Sequence, residues 1–198
     1  MSKEYVQSGR SNQKQETRKK ILKSAQYFIE KGKEFNLEDV ANRSGISRAT
    51  IYRYFPNVDV LSAEAGLDVS TLDPAELYAR LKRNDLKEDI LDVQKYYNTL
   101  AASHEGLFRK YISTILDQGT KTPERGARRK KTLKLLFEEQ KMSPKEKEDL
   151  SNLLTVLMGI EPLIVTKDVC GLDNKESLRL LSWGLELLFN GFMHSRKG

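Results

Sequence analysis

The feature that most constrains this chain is a closely spaced set of helix-starting and helix-stopping residues between Phe35 and Asp59. Asn36 can cap the backbone amides ahead of it, and Asp39 stands at the N3 position of a capping-box arrangement. Phe35 and Val40 have the spacing of a hydrophobic staple. The helix they start runs to about Ser44, where Gly45 supplies a tight turn. Ser47 caps the next helix, which reaches about Tyr54 before Pro56 prevents its continuation. Asn57 caps another, with Asp59 in the first turn, where the helix dipole favours negative charge. Short capped helices joined by a glycine turn are a helix-turn-helix signature.

The flanking sequence also reads as helical. Residues 1–13 are polar and are expected to form a disordered arm. Thr17 to Lys31 places Ile21, Leu22, Ala25, Phe28 and Ile29 on one face, and Gly32 stops the helix. Asp73 and Pro74 start a new helix after a break at Thr71. Further helices are expected near 74–83, 86–101, 104–118, 122–140, 144–166 and 174–194, with a kink at Pro162. No segment alternates with period two for long, so the expected class is all-α. The expected division is an arm at 1–13, a DNA-binding domain at 14–60 and a helical body at 61–198.

Composition narrows the function classes. Hydrophobic residues make up 38% of the 198, and no uninterrupted apolar run approaches the roughly 18 residues of a spanning helix, so no membrane partner is expected. The first fifteen residues hold no apolar core of a secretory signal. Cys170 is the single cysteine, which excludes an internal disulfide and fits a reducing cytoplasm. The net charge of +6 is unevenly spread: residues 1–60 hold 12 Lys/Arg and 7 Asp/Glu, residues 61–198 hold 22 and 21. A basic N-terminal third on a near-neutral body suggests a polyanionic partner, although a solvated basic face has the same composition.

The second short helix carries the chemistry. Ile51 and Phe55 can face the core with Val40, Ala41 and Ile46, which turns Arg48, Ala49, Thr50, Tyr52 and Arg53 the other way. A DNA major groove accepts such a surface. Arg48 can read guanine edges, and the Ala49 and Thr50 methyls can contact thymine. Arg53 and the hydroxyls of Tyr52 and Tyr54 suit phosphate oxygens. Ser47 opens this helix, and Lys14, Arg18 and Lys19 open the long helix before it, where free amides favour phosphate.

The segment Thr17–Leu22 with Ala25 and Phe28, then Asn36–Ala41, then Gly45–Phe55, resembles the DNA-binding domain of the tetracycline-repressor (TetR) family over roughly residues 14–66. The resemblance implies a two-domain, all-α homodimer of about nine helices: a three-helix DNA-binding domain, and a body that dimerises and holds a small-molecule inducer. By position it assigns DNA contacts to Arg48, Ala49, Thr50, Tyr52, Arg53 and Tyr54. Val58 stands where the family often has a lysine that grips phosphate. Glu38 adds negative charge near the expected DNA path and is not assigned to DNA.

In the body, one apolar stripe holds Leu150, Leu153, Leu154, Leu157 and Met158, and another holds Leu178, Leu181, Leu185, Leu188, Phe189 and Phe192. The candidate dimer interface is Leu153, Leu157, Leu181, Leu185, Leu188 and Phe192, with packing inside one subunit as the other reading. Tyr96, Tyr97, Leu100, His104, Phe108, Tyr111, Ile112 and Trp183 are candidates to line a pocket for a small apolar or aromatic effector, and they equally suit a plain core. Arg125, Arg128, Arg129, Lys130, Lys131 and Lys134 read as the solvated start of an amphipathic helix. With two histidines, one cysteine and no phosphate-cradling glycine loop, nothing specifies a catalytic or metal site, and no cofactor is expected. The expected function is a repressor released from a palindromic operator by an effector; the alternatives are a helix-turn-helix regulator whose body is a protein-interaction platform, and a helical enzyme with an incidental basic N-terminus.

Overall fold

The computed structural model describes residues 3–81, 85–117 and 127–196, and the side chains at 3–12, 15, 69, 114, 115 and 117 lie outside that description. Every regular element among the described residues is helical, as the missing period-two pattern predicts. The chain divides into two compact units. The first contains the chain through Ser70 and the part of a later helix from Lys110; the second contains Thr71–Arg109 and the described chain from Ala127 onward.

In the first unit, α1 (Lys3–Glu30), α2 (Leu37–Ser44), α3 (Arg48–Tyr54) and α4 (Val58–Ser70) surround one core. Ile21 and Ala25 of α1, Val40 of α2, Ile51 and Phe55 around α3, and Leu61 and Ala65 of α4 are fully buried in it. Each large side chain removed from water contributes roughly 1.5–3 kcal/mol, so these few positions set how the short helices lie. The helix in 3–13 replaces the expected arm: five of its eleven residues are Lys, Glu, Gln or Arg, which extend an existing helix at little cost, and no proline interrupts it. After Glu30 the chain closes in a Schellman turn. The Lys33 amide donates to the Phe28 carbonyl at 2.9 Å and the Gly32 amide to Ile29 at 3.0 Å, with Gly32 at φ 62°.

The second unit contains α5 (Pro74–Arg80), α6 (Leu86–Ser103), the start of α7 (Glu105–Asp117), α8 (Ala127–Phe137), α9 (Pro144–Val156), α10 (Ile160–Ile164), a π-helical turn (Val165–Val169) and α11 (Asn174–Ser195). Its core holds Ile90, Val93, Leu133, Leu150, Leu154, Met158 and Leu185. The expected helix parts at 82–83, 118 and 122–126, with Arg125, lie outside the described residues.

The expected continuous helix at 144–166 is divided, and not at Pro162. The break is at Gly159, which adopts φ 88° and ψ −155°, a conformation open essentially to glycine. Pro162 sits in the first turn of α10, where a missing amide proton costs nothing. Buried side chains of α6 hold the break. The Gly159 amide donates to Asn98 Oδ1 at 2.6 Å, and Asn98 Nδ2 and Gln94 Nε2 donate to the Leu157 carbonyl at 3.2 and 3.1 Å. Gln94 Nε2 also reaches the Leu181 carbonyl of α11 at 2.8 Å. From α8, Arg129 donates to the Met158 carbonyl and forms a two-pronged pair with Glu161 at 2.9 and 3.0 Å. By length and composition Pro144–Val169 is apolar enough to cross a membrane. Here it is broken, and Leu150, Leu154, Met158 and Leu163 are buried within the unit.

Candidate nucleic-acid interface

The first unit displays α3 by fixing both of its neighbours. Asn36 Oδ1 accepts from the Glu38 and Asp39 amides at 2.8 and 3.0 Å, and Asp39 returns a carboxylate to the Asn36 amide at 2.9 Å. The capping box read from the sequence is therefore closed. Gly45 takes the left-handed conformation, φ 66° and ψ 21°, and its amide donates to Ala41 at 3.0 Å. Ser47 caps α3 by accepting from the Thr50 amide at 3.3 Å. Asn57 Oδ1 accepts from the Val60 amide at 2.9 Å. Phe35 stacks on Phe28, ring centroids 5.4 Å apart, and both pack on the core that holds Val40.

Inside this frame Ile51 and Phe55 are completely buried. Ser47, Arg48, Ala49, Tyr52 and Arg53 are exposed, and Thr50 and Tyr54 are half-buried. The outward face thus holds four of the five residues that the spacing of Ile51 and Phe55 predicts, with Thr50 partly covered. Tyr54 also packs partly on the core, and the Thr50 hydroxyl lies 2.9 Å from that of Ser47. Lys14 is exposed on α1.

Arg18 departs from its expected role as a phosphate ligand. Its Nε and Nη2 donate to Glu64 of α4 at 2.9 and 2.5 Å, and its guanidinium lies 4.6 Å from the centroid of the Phe55 ring. The residue is tied inside the unit because Glu64, on α4, faces it across the α1–α4 contact. Gln26 adds a second tie, donating to Asp68 of α4 at 2.8 Å.

Glu38 was left out of the interface on charge grounds, yet it stands beside it. Arg48 Nη1 donates to Glu38 Oε2 at 3.3 Å, and the Arg48 guanidinium lies 5.7 Å from the Tyr52 ring centroid. Tyr52 first, and then Glu38, holds the Arg48 pKa above its ordinary value. The contact joins residues ten apart on different helices, so no single-helix pattern could have marked it.

The candidate pocket residues divide between the two units. Tyr97 is buried with its hydroxyl 3.0 Å from that of Thr132, and burial pushes its pKa up. Tyr96 is half-buried and its hydroxyl accepts from the Leu72 amide at 2.7 Å. Leu100 and Phe108 are half-buried, and His104 ends α6. Tyr111 and Ile112 belong to the first unit. Trp183 is 54% exposed and lines no core. Ring residues at helical spacing served the core or the surface here, as aromatic side chains commonly do.

The candidate dimer residues also separate. Leu181 and Leu185 are buried within their own subunit, which leaves them little surface to offer a partner. Leu153 is exposed, and Leu157, Leu188 and Phe192 are half-buried. Leu153, Leu188 and Phe192 line a cleft of about 420 Å³ between α9 and α11. Val156, Val165, Val169 and Leu187 are also more than half exposed. Trp183 and Leu187, four apart, share one outer face of α11, a signal present in the periodicity but shifted from the stripe chosen.

Residues 21–71 match the sequence model of "Bacterial regulatory proteins, tetR family". No curated protein matches the chain. The matched span contains α2, the Gly45 turn, α3 and α4 with the core that fixes them. Residues 21–71 are thus a helix-turn-helix domain of the tetR type, and that domain makes the chain a DNA-binding transcriptional regulator.

Proposed function

We propose that this regulator is a cytoplasmic homodimeric repressor that occupies a palindromic operator and leaves it when the body binds a small molecule. The observation that carries the reading is the face of α3: Arg48, Ala49, Tyr52 and Arg53 point outward from a helix whose buried side locks into a closed core. Arg48 contacts a guanine edge, the Ala49 and Thr50 methyls contact thymine, and Tyr52, Arg53, Tyr54, Ser47 and Lys14 bind the backbone or flanking edges. In the dimer the two α3 helices enter successive major grooves about 34–36 Å apart. The exposed large apolar side chains Leu153, Val156, Trp183 and Leu187 support self-association through α9 and α11, since burying them against a second copy removes apolar surface from water.

An effector acts by favouring a body conformation in which both α3 helices cannot dock together. Moving such a balance from 1:99 to 99:1 takes about 5.5 kcal/mol of differential affinity. A fluorescence titration with a palindrome from upstream of the gene tests the reading. Tight, salt-sensitive binding by a dimer is expected. Equal affinity for scrambled DNA rejects it. The second reading, a body that serves as a protein-interaction platform, is favoured by one observation: the Tyr96 and Tyr97 hydroxyls are committed within the fold, and Trp183 faces outward. A thermal-shift screen of small apolar and aromatic compounds separates the two, because only an effector site gives a concentration-dependent rise in Tm.

A further inference from the structure

A carboxylate beside a DNA-binding helix is repelled by phosphate, so Glu38 needs a compensating donor. Arg48 supplies one on one side: its Nη1 meets Glu38 Oε2 at 3.3 Å. The pair is not buried. The side chains retain 60% and 63% exposure, so both remain open to a further partner. Glu38 is held at the start of α2, where its own amide bonds to Asn36. Arg48 is the first residue of α3 and lies beside the Tyr52 ring. A guanidinium has five N–H donors, and this contact uses one of them. The other carboxylate oxygen, Oε1, enters no hydrogen bond among the described residues.

We propose that Glu38 and Arg48 act together as the reader of one G·C base pair in each half-site. The inference rests on the DNA-binding reading above and assigns Glu38 a direct base contact. The chemistry is a match of donors and acceptors. In the major groove a G·C pair presents two acceptors on guanine, N7 and O6, followed by one donor, the cytosine N4 amino group. The side-chain pair presents guanidinium donors followed by a carboxylate acceptor in the same order. Arg48 donates to N7 and O6, and Glu38 Oε1 accepts from N4. An A·T pair keeps the N7 acceptor but places its adenine amino donor against the guanidinium and the thymine carbonyl against the carboxylate, so two of the three contacts become repulsive. Pairing with Arg48 offsets the Glu38 charge when no DNA is bound.

The test is selection of bound duplexes from a randomised pool by the full chain, with wild type, E38A, E38Q and R48A in parallel. Wild type should enrich a G·C pair at one symmetric position, with discrimination of about tenfold to a hundredfold over the other pairs. R48A should abolish the preference. E38A should reduce it to a few-fold at that position alone while raising affinity for unrelated DNA. E38Q, which keeps one acceptor and the side-chain length, should lie between them, and it serves as the readout if E38A does not fold. A general charge effect would raise affinity for every duplex and leave the base profile unchanged. An unchanged profile in E38A and E38Q overturns the inference while leaving the DNA-binding reading intact. A wild type that enriches no sequence overturns both.

Discussion

At the scale of single residues, exposure and backbone conformation decide what a substitution does. Tyr52 is 45% exposed, so Tyr52→Ala should leave the unfolding midpoint nearly unchanged and weaken operator binding by about 1–3 kcal/mol. Fluorescence anisotropy and a denaturation curve on one sample separate the two effects. Gly159 is the opposite case. An added Cβ would lie 2.6 Å from Arg129 Nη1, at φ 88°, so Gly159→Ala should cost at least about 1–3 kcal/mol of stability in urea unfolding. Neither residue announces its weight in sequence. Tyr52 became legible because Ile51 and Phe55 fix the phase of a short helix. Gly159 did not, because a glycine in an apolar stretch reads as a weak helix position until its neighbours in space are known.

At the scale of elements, the helices are held by side chains that cross between them. Arg18 and Glu64 join α1 to α4. Arg18→Ala should therefore cost about 1.5–3 kcal/mol of stability, the worth of a hydrogen bond to a charged group, without changing the salt dependence of DNA binding. Lys14→Ala should leave stability alone and lower the salt slope by about one. A second crossing ties the start of α7 to the π turn. Glu105 accepts from Lys167 at 2.5 Å and from Arg109 at 2.8 Å, and Arg109 also forms a two-pronged pair with Asp168. These contacts lower both acid pKa values, Glu105 through Lys167 first and Asp168 through Arg109 first. For a depressed acid the stabilisation is present above the unfolded pKa, about 4.3 for Glu and 3.9 for Asp, and is lost as pH falls through the folded value. Unfolding midpoints should drop as pH is lowered below about 5, and Glu105→Gln should flatten that decline. Caps and stops made most helix boundaries readable. The split of α9 from α10, the π turn and these ion pairs were not, since each depends on partners distant in sequence.

At the scale of the molecule, the prediction concerns assembly. Trp183→Asp combined with Leu187→Asp places two charges on the exposed face of α11. Sedimentation should show wild type as a dimer and the variant as a monomer, with binding to the full palindrome reduced to that of a single half-site. A dimeric variant would move the interface elsewhere. The all-α class followed from the missing alternation, and the character of the N-terminal unit from one glycine turn between caps. Which of the apolar residues of α11 pack inward, as Leu181 and Leu185 do, was not legible, because two faces of that helix are apolar and only packing separates them.

The division of the chain has a consequence for its synthesis. The first unit is not contiguous: it includes the chain through Ser70 and also the stretch of α7 from Lys110, whose ammonium lies 2.7 Å from Asp59 at the head of α4. A growing polypeptide therefore leaves the ribosome with the last stretch of its first unit still unmade. The Lys110–Asp59 pair can close only after the ribosome has moved into the following unit, so the head of α4 emerges before that partner exists.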